Sequence, residues 1–308
     1  MSEEAAPIIA DLPELIDLVG AMAREPYVAI DTEFLRDTTY WPELCLIQVA
    51  APSGLKAIID PVALTSLEPF LEFLSHSAPI KVFHASRQDL EIFYHMGGAI
   101  PHPLYDTQVA AMVCGYGESV GYEALVREIA RASIDKSARF TDWKRRPLTE
   151  RQLTYAISDV IHLCTVYEVL RERVEREGRN GWIAEEMRKL EDPQTYDLSP
   201  DLAWQRLRLR DTRPRAVALA MEVAAWRERE AQARNLPRGR VLKDELLAEL
   251  LHERPRSKEE LEKLRAVPRG IDSAEVKQFL QNITGVKEVH DLHIWAMGTT
   301  DVASSFHL

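Results

Sequence analysis

Apolar residues in the first half of the chain fall into short β-prone runs. Between the runs they recur every three or four positions, the pattern of strands alternating with amphipathic helices. YVAID (27–31), ELCLIQVA (43–50), KAIID (56–60) and IKVFH (80–84) predict strands. LTSLEPFLEFL (64–74) and ASRQDLEIFYHM (85–96) predict helices. Three strands precede the first of these helices, so a meander should lead into an α/β layer with a mixed sheet. DTQVAAMVCG (106–115), YEALVREIA (122–130) and a long stretch from Glu150 to Gly178 also have helical period. The polar segment EDPQTYDLSPD (191–201) carries two prolines and interrupts that period, which marks a linker. After it, residues 214–235, 241–253 and 257–265 predict three short-linked helices, the last with a capping box from Ser257 and Glu260. The expected domains are therefore 1–190 (α/β), a linker at 191–200, a small all-helical domain at 201–280, and a tail at 281–308 with one strand-like alternation, EVHDLHIWAM.

Composition narrows the class. A 308-residue chain with 46% hydrophobic residues and a mean hydropathy of −0.23 has material for two packed domains. No apolar run approaches the roughly 20 residues of a membrane span, and the amino end is acidic where a secretion signal would be basic. Cys45, Cys114 and Cys164 are too few and too scattered for a disulfide framework or a thiolate cage, and a cytoplasmic location is expected. The net charge of −11 argues weakly against a nucleic-acid partner. Its distribution argues the other way, because Trp204 to Lys243 holds eleven Lys or Arg against four acids.

The candidate chemistry lies in three separated clusters: Asp31 with Glu33, Asp89 alone, and Tyr155 with Asp159. Asp31 and Glu33 end a strand-like run two residues apart, so they share a face. Two like charges side by side repel, and divalent cations are the usual compensation. Tyr155 and Asp159 are four apart on a predicted helix and also share a face. Phosphodiester cleavage with two ions, Mg2+ or Mn2+, needs such an oxygen-rich set. Asp31 would bridge, Glu33 and Asp159 would complete the water-activating site, and Asp89 would support the leaving-group side. Tyr155 would orient the water, since a phenol is a poor base at neutral pH. Taken singly, each residue also has an ordinary reading: a solvated acid, a strand-end cap or a core-edge tyrosine.

Jointly, DTEF (31–34), HASRQDLEIF (84–93) and YAISDV (155–160) resemble the three motifs of the DEDD exonucleases in their tyrosine-containing form, and most closely the ribonuclease D family. TYWPELCLIQVA, LYDTQVAA and the stretch from Asp135 to Ala156 are similar to that family as well. The resemblance spans about residues 20–190. It implies a ribonuclease H-like exonuclease domain and a metal-dependent 3′ to 5′ exoribonuclease that releases nucleoside 5′-monophosphates. Transfer RNA precursors with 3′ extensions and other small structured RNAs are the implied substrates, with no membrane or obligate protein partner. Asp31, Glu33, Asp89 and Asp159 carry over as metal ligands and Tyr155 as the water-positioning residue. A DNA-directed exonuclease and a non-catalytic nucleic-acid scaffold are the competing functions.

Lys136, Arg139, Lys144, Arg145 and Arg146 surround Trp143, a mixture that suits phosphate contact and base stacking. Two readings stay open there: a grip on the 3′ strand, or a solvated loop whose tryptophan anchors it to the core. Phe34 and Leu35 are placed to wedge against a terminal base, and His84 is expected to pack locally. The helical module resembles the domain shared by helicases and ribonuclease D (HRDC), and Arg234, Arg238, Arg240 and Lys243 would give it salt-sensitive RNA affinity. The final stretch, GVKEVHDLHIWAMGTTDVASSFHL, resembles part of the cytosolic domain of cation diffusion facilitators, with His290, His293 and His307 at the positions of its zinc-binding histidines; a fused or frameshifted remnant is the favoured reading and a zinc regulatory tail the alternative.

Overall fold

The computed structural model describes residues 6–76, 78–135, 138, 141–209 and 211–254, together with the backbone of His290–Ala296 and Val302–His307. The described residues fall into two compact units, those within 1–35 and 42–197 forming one and those within Arg36–Trp41 and 198–308 the other.

The first unit is built on a six-stranded mixed sheet. In chain order its elements are β1 (Ile8–Ile9), α1 (Leu12–Met22), β2 (Tyr27–Leu35), β3 (Glu43–Ala50), β4 (Lys56–Ile59), α2 (Glu68–Leu74), β5 (Ile80–Phe83), α3 (Arg87–Gly97), β6 (Leu104–Asp106), α4 (Thr107–Val113), α5 (Tyr122–Leu125), a π-turn (Val126–Ala130), α6 (Glu150–Arg176) and α7 (Asn180–Leu190). The strand order is β1-β4-β3-β2-β5-β6. β2–β3 and β3–β4 are the expected antiparallel meander, whereas β1, β5 and β6 join in parallel. α1 went unpredicted although Asp11 caps it, accepting from the Glu14 N–H at 2.9 Å, with a proline in the first turn.

The two faces of β2 explain the layering. Val28 and Ile30 face a core with Phe70, Phe83, Phe93 and the apolar face of α1, while Tyr27 and Ala29 face Val160, Leu163 and Tyr167 of α6. α6 is long and apolar enough, by length and composition, to cross a membrane. Its buried residues recur at helical spacing from Ala156 to Val174, and that stripe is the core face packed on the sheet. Thr149 and Gln152 close a capping box at its start.

In the second unit, a 3-10 turn (Pro200–Arg206), α8 (Pro214–Ala233), α9 (Arg238–Val241) and α10 (Asp244–Glu253) pack around Val223, Val241, Leu242 and Leu247. Tyr40 is buried among them, its hydroxyl donating to the buried Glu228. Arg206 reaches the same carboxylate at 3.0 Å and Arg238 at 2.6 Å, so this buried charge is compensated. The third predicted helix and its Ser257–Glu260 capping box lie outside the described residues. The tail is not a lone strand: β7 (His290–Ala296) and β8 (Val302–His307) form an antiparallel hairpin pairing His290 with His307. A register shift between His290 and His293 interrupts the strict two-residue alternation assumed from the sequence.

Candidate active site

β2 runs out of the core along one face. Tyr27 and Ala29 bury against α6, and the next two residues on that face are Asp31 and Glu33. α6 presents the matching sequence in reverse, with Tyr167, Leu163 and Val160 in the core and Asp159 and Tyr155 nearer its start. An apolar contact thus continues into an acidic one. Carboxylate oxygens of Asp31, Glu33 and Asp159 come within 4.8 Å of one another. At an effective dielectric of about 20, each such pair repels by about 3.5 kcal/mol. An all-oxygen, three-carboxylate cluster of this kind fits a hard divalent cation.

Asp89 lies in the first turn of α3, buried, and accepts from the Thr32 hydroxyl, whose residue sits between Asp31 and Glu33 on the opposite pleat. It neighbours the cluster without joining it at that distance. Burial raises the Asp31 carboxyl to about 6. Burial first, and then the charge of Asp31, raises Asp89 to about 8. Tyr155 is hydrogen-bonded to Asp159, and burial together with the charges of Asp159, Glu33 and Asp31 pushes its phenol far above the usual range. Beside these groups opens a cavity of about 430 Å³ lined by Asp31, His84, Tyr122, Tyr155 and Asp159 among others.

Three supporting residues were not singled out from the sequence. Asp106, buried at the end of β6, accepts from the Ala85 N–H at 3.1 Å, from the Ser86 N–H and hydroxyl at 2.8 Å each, and from the Gln108 N–H at 2.8 Å. These bonds hold the turn into α3, in which Ala85 adopts a left-handed φ of 55°. The aspartate preceding TQVAAMV is a readable helix N-cap, so its local role was legible and its support of Ala85 and Ser86 was not. Thr32 holds Asp89, and Tyr122 donates to the Asp159 carbonyl. His84 packs on the Tyr122 ring, 5.1 Å between centroids, with Nδ1 3.0 Å from the Thr107 hydroxyl; burial lowers its pKa.

The basic segment differs from the RNA-gripping reading. Trp143 is 2% exposed and cannot offer a face to a base. Arg146 turns inward onto Asp60, at 2.6 and 2.7 Å, and onto three main-chain carbonyls. Lys144 pairs with Glu43 at 2.7 Å while remaining more than half exposed, and Arg145 is exposed. Lys136 and Arg139 lie outside the described residues. Phe34 and Leu35 are half-buried beside a register shift in β2, and Leu35 packs on the core. In the helical unit, Arg238 is engaged with Glu228 and lies over the Tyr40 ring at 4.7 Å, which corrects its assignment as a free phosphate contact. Arg234 is half-buried, and Arg240 and Lys243 are exposed.

Residues 7–175 match the family model described as 3'-5' exonuclease, residues 217–286 the HRDC domain, and residues 268–308 the cytoplasmic domain of cation efflux proteins. Ribonuclease D of Nitrobacter hamburgensis is 47% identical over 269 residues, 87% of this chain and 70% of that protein. Ribonuclease D of a Jannaschia species is 49% identical over 265 residues, 85% of this chain and 69% of that protein. The crystal structure of Escherichia coli RNase D, described as an exoribonuclease involved in structured RNA processing, is similar with a TM-score of 0.78 at 33% identity. It covers 89% of this chain and 72% of that one.

Proposed function

Because the chain belongs to the ribonuclease D family and is a metal-dependent 3′ to 5′ exoribonuclease, we propose that it trims the 3′ ends of transfer RNA precursors and other small structured RNAs in the cytoplasm. The reading includes two divalent ions, Mg2+ or Mn2+. The observation that carries it is the convergence of Asp31, Glu33 and Asp159, with Asp89 and Tyr155 beside them, from three elements far apart in the chain.

When bound, such ions lower the pKa of the attacking water and stabilise charge on the leaving oxygen. Asp31, clustered with Glu33 and Asp159 and close enough for its charge to act on Asp89, would be shared between the two ions. Glu33 and Asp159 would help hold the ion that activates water, and Asp89, steadied by Thr32, would help hold the ion on the leaving-group side. Tyr155 would aim the water as a hydroxyl beside Asp159, since a phenol is a poor base at neutral pH. Asp106 keeps the α3 turn, and with it Asp89, in place.

The test is to incubate the purified protein with a 3′-extended transfer RNA precursor and with matched single-stranded DNA, each with and without magnesium. Magnesium-dependent release of 5′-mononucleotides from the RNA, faster than from the DNA, is expected. Equal or faster hydrolysis of the DNA would move the assignment to a DNA-directed exonuclease, and internal fragments would exclude the exonucleolytic mode.

A further inference from the structure

Of Lys144, Arg145 and Arg146 in the segment that leads into α6, Arg146 turns inward, and its path shows what that accomplishes. Arg146 donates from Nε to Asp60 Oδ2 at 2.6 Å and from Nη2 to Asp60 Oδ1 at 2.7 Å, a bidentate pair with a carboxylate that is 5% exposed. Its remaining donors reach the Cys45 carbonyl on β3 at 2.8 Å and the Trp143 and Arg145 carbonyls at 2.7 and 3.1 Å. Asp60 is itself fixed just after β4 by the N–H groups of Val62 and Ala63, at 3.0 and 3.3 Å. One guanidinium therefore ties the main chain at Trp143 to two strands of the sheet.

Trp143 is the next link. Its ring is buried and lies 6.0 Å from the Tyr155 ring, tilted by 35°. Gln152, one turn before Tyr155, binds the same segment through the Thr141 hydroxyl at 3.1 Å and the Asp142 carbonyl at 3.3 Å. The Tyr155 ring thus neighbours a pinned indole while its hydroxyl is hydrogen-bonded to Asp159.

We propose that Arg146, held by Asp60, is a positioning residue for Tyr155: it fixes Trp143, and Trp143 fixes the angle at which the Tyr155 hydroxyl meets Asp159 and the attacking water. The inference rests on the water-aiming role given to Tyr155 above. Arg146 touches neither substrate nor reacting atoms in this scheme. Lysine at this position would keep the charge but lose the bidentate fork and with it the simultaneous hold on Asp60, Cys45 and Trp143. A displacement of about 1 Å of an aiming group costs up to about 100-fold in rate.

The experiment compares kcat and KM of Arg146→Lys, Trp143→Phe and Tyr155→Phe, singly and with each of the first two combined with Tyr155→Phe, on one 3′-labelled RNA with magnesium. Arg146→Lys should lower kcat by about tenfold or more with KM within about twofold, and should cost little further once Tyr155→Phe is present, since the aim it secures is already gone. Trp143→Phe, which keeps an aromatic filler and spares the ion pair, should show the same lack of additivity and carries the test if Arg146→Lys does not fold. An unchanged kcat in both variants, or an equal fold-loss with and without Tyr155→Phe, overturns the positioning role. If Tyr155→Phe alone leaves kcat intact, the water-aiming reading falls and takes this inference with it, a result distinct from loss of the bracket's effect alone.

Discussion

Lys81 offers a test of how the sheet beneath the site is stabilised. It lies on β5, fully buried, its ammonium donating to the His76 carbonyl and, at 2.7 Å, to the His102 carbonyl, with the Phe73 ring centroid 5.2 Å away. Burial lowers its pKa from 10.5 to about 8. The folded chain gives up this proton before the unfolded chain does, so between those two values the unfolded state binds more protons and stability rises with pH. A gap of about 2.5 pH units corresponds to about 3 kcal/mol in all, of which about 2.5 kcal/mol falls between pH 7 and pH 10. Replacing Lys81 with Met removes the burial cost but leaves two carbonyls without their donor, at about 1 to 3 kcal/mol each. The absolute change at pH 7 is therefore close to cancellation, and the slope decides. Urea denaturation at both pH values should show wild type gaining about 2.5 kcal/mol on Lys81→Met. Subtracting the variant removes the tyrosines and other groups that titrate in the same range. A difference that is flat, or that falls with pH, would refute a charged, desolvated Lys81.

Two further outcomes follow from other buried carboxylates. Glu228→Gln should destabilise the helical unit by about 1.5 to 3 kcal/mol, because Arg206, Arg238 and the Tyr40 hydroxyl lose a buried charged acceptor while both arginines keep partial access to water; a loss below about 1 kcal/mol in a denaturant melt followed by tryptophan fluorescence contradicts the network. Burial alone would raise Glu228's pKa, but Arg238, Tyr40 and Arg206 hold it below the usual value, so its stabilising contribution is present above the unfolded pKa and lost as pH falls through the folded one. Asp106→Ala removes the acceptor for Ala85, Ser86 and Gln108, and should lower stability by about 2 to 3 kcal/mol and kcat together; wild-type values of both would show that the turn into α3 holds itself.

The acids were legible because their signal is local. A two-residue step on β2 and a four-residue step on α6 place side chains on a face whatever the rest of the chain does, and the same periodicities predicted β2 to β5 and the helix bearing Asp159. β1 and β6, two and three residues long, are too short to carry a period. The inward turn of Arg146 was not legible, because its partner Asp60 is 86 residues away and side-chain charge alone does not distinguish a phosphate from a buried carboxylate. The same holds for Arg238, whose partner Glu228 is only ten residues off but is buried by packing that no short window contains. Nor could spacing place Asp89 beside the cluster rather than within it, since that depends on the Thr32 hydroxyl across the pleat.

In this scheme the carboxylates gathered around Asp31 carry the hydrolysis. The most direct measurement is the rate at which Asp31→Asn releases 5′-mononucleotides from a 3′-labelled RNA in saturating magnesium, beside a thermal melt of the same protein. A loss of at least about 100-fold is expected, with the melt unchanged or raised, since one member of a repelling cluster is neutralised. Release within about tenfold of wild type, from a protein that melts normally, would contradict it.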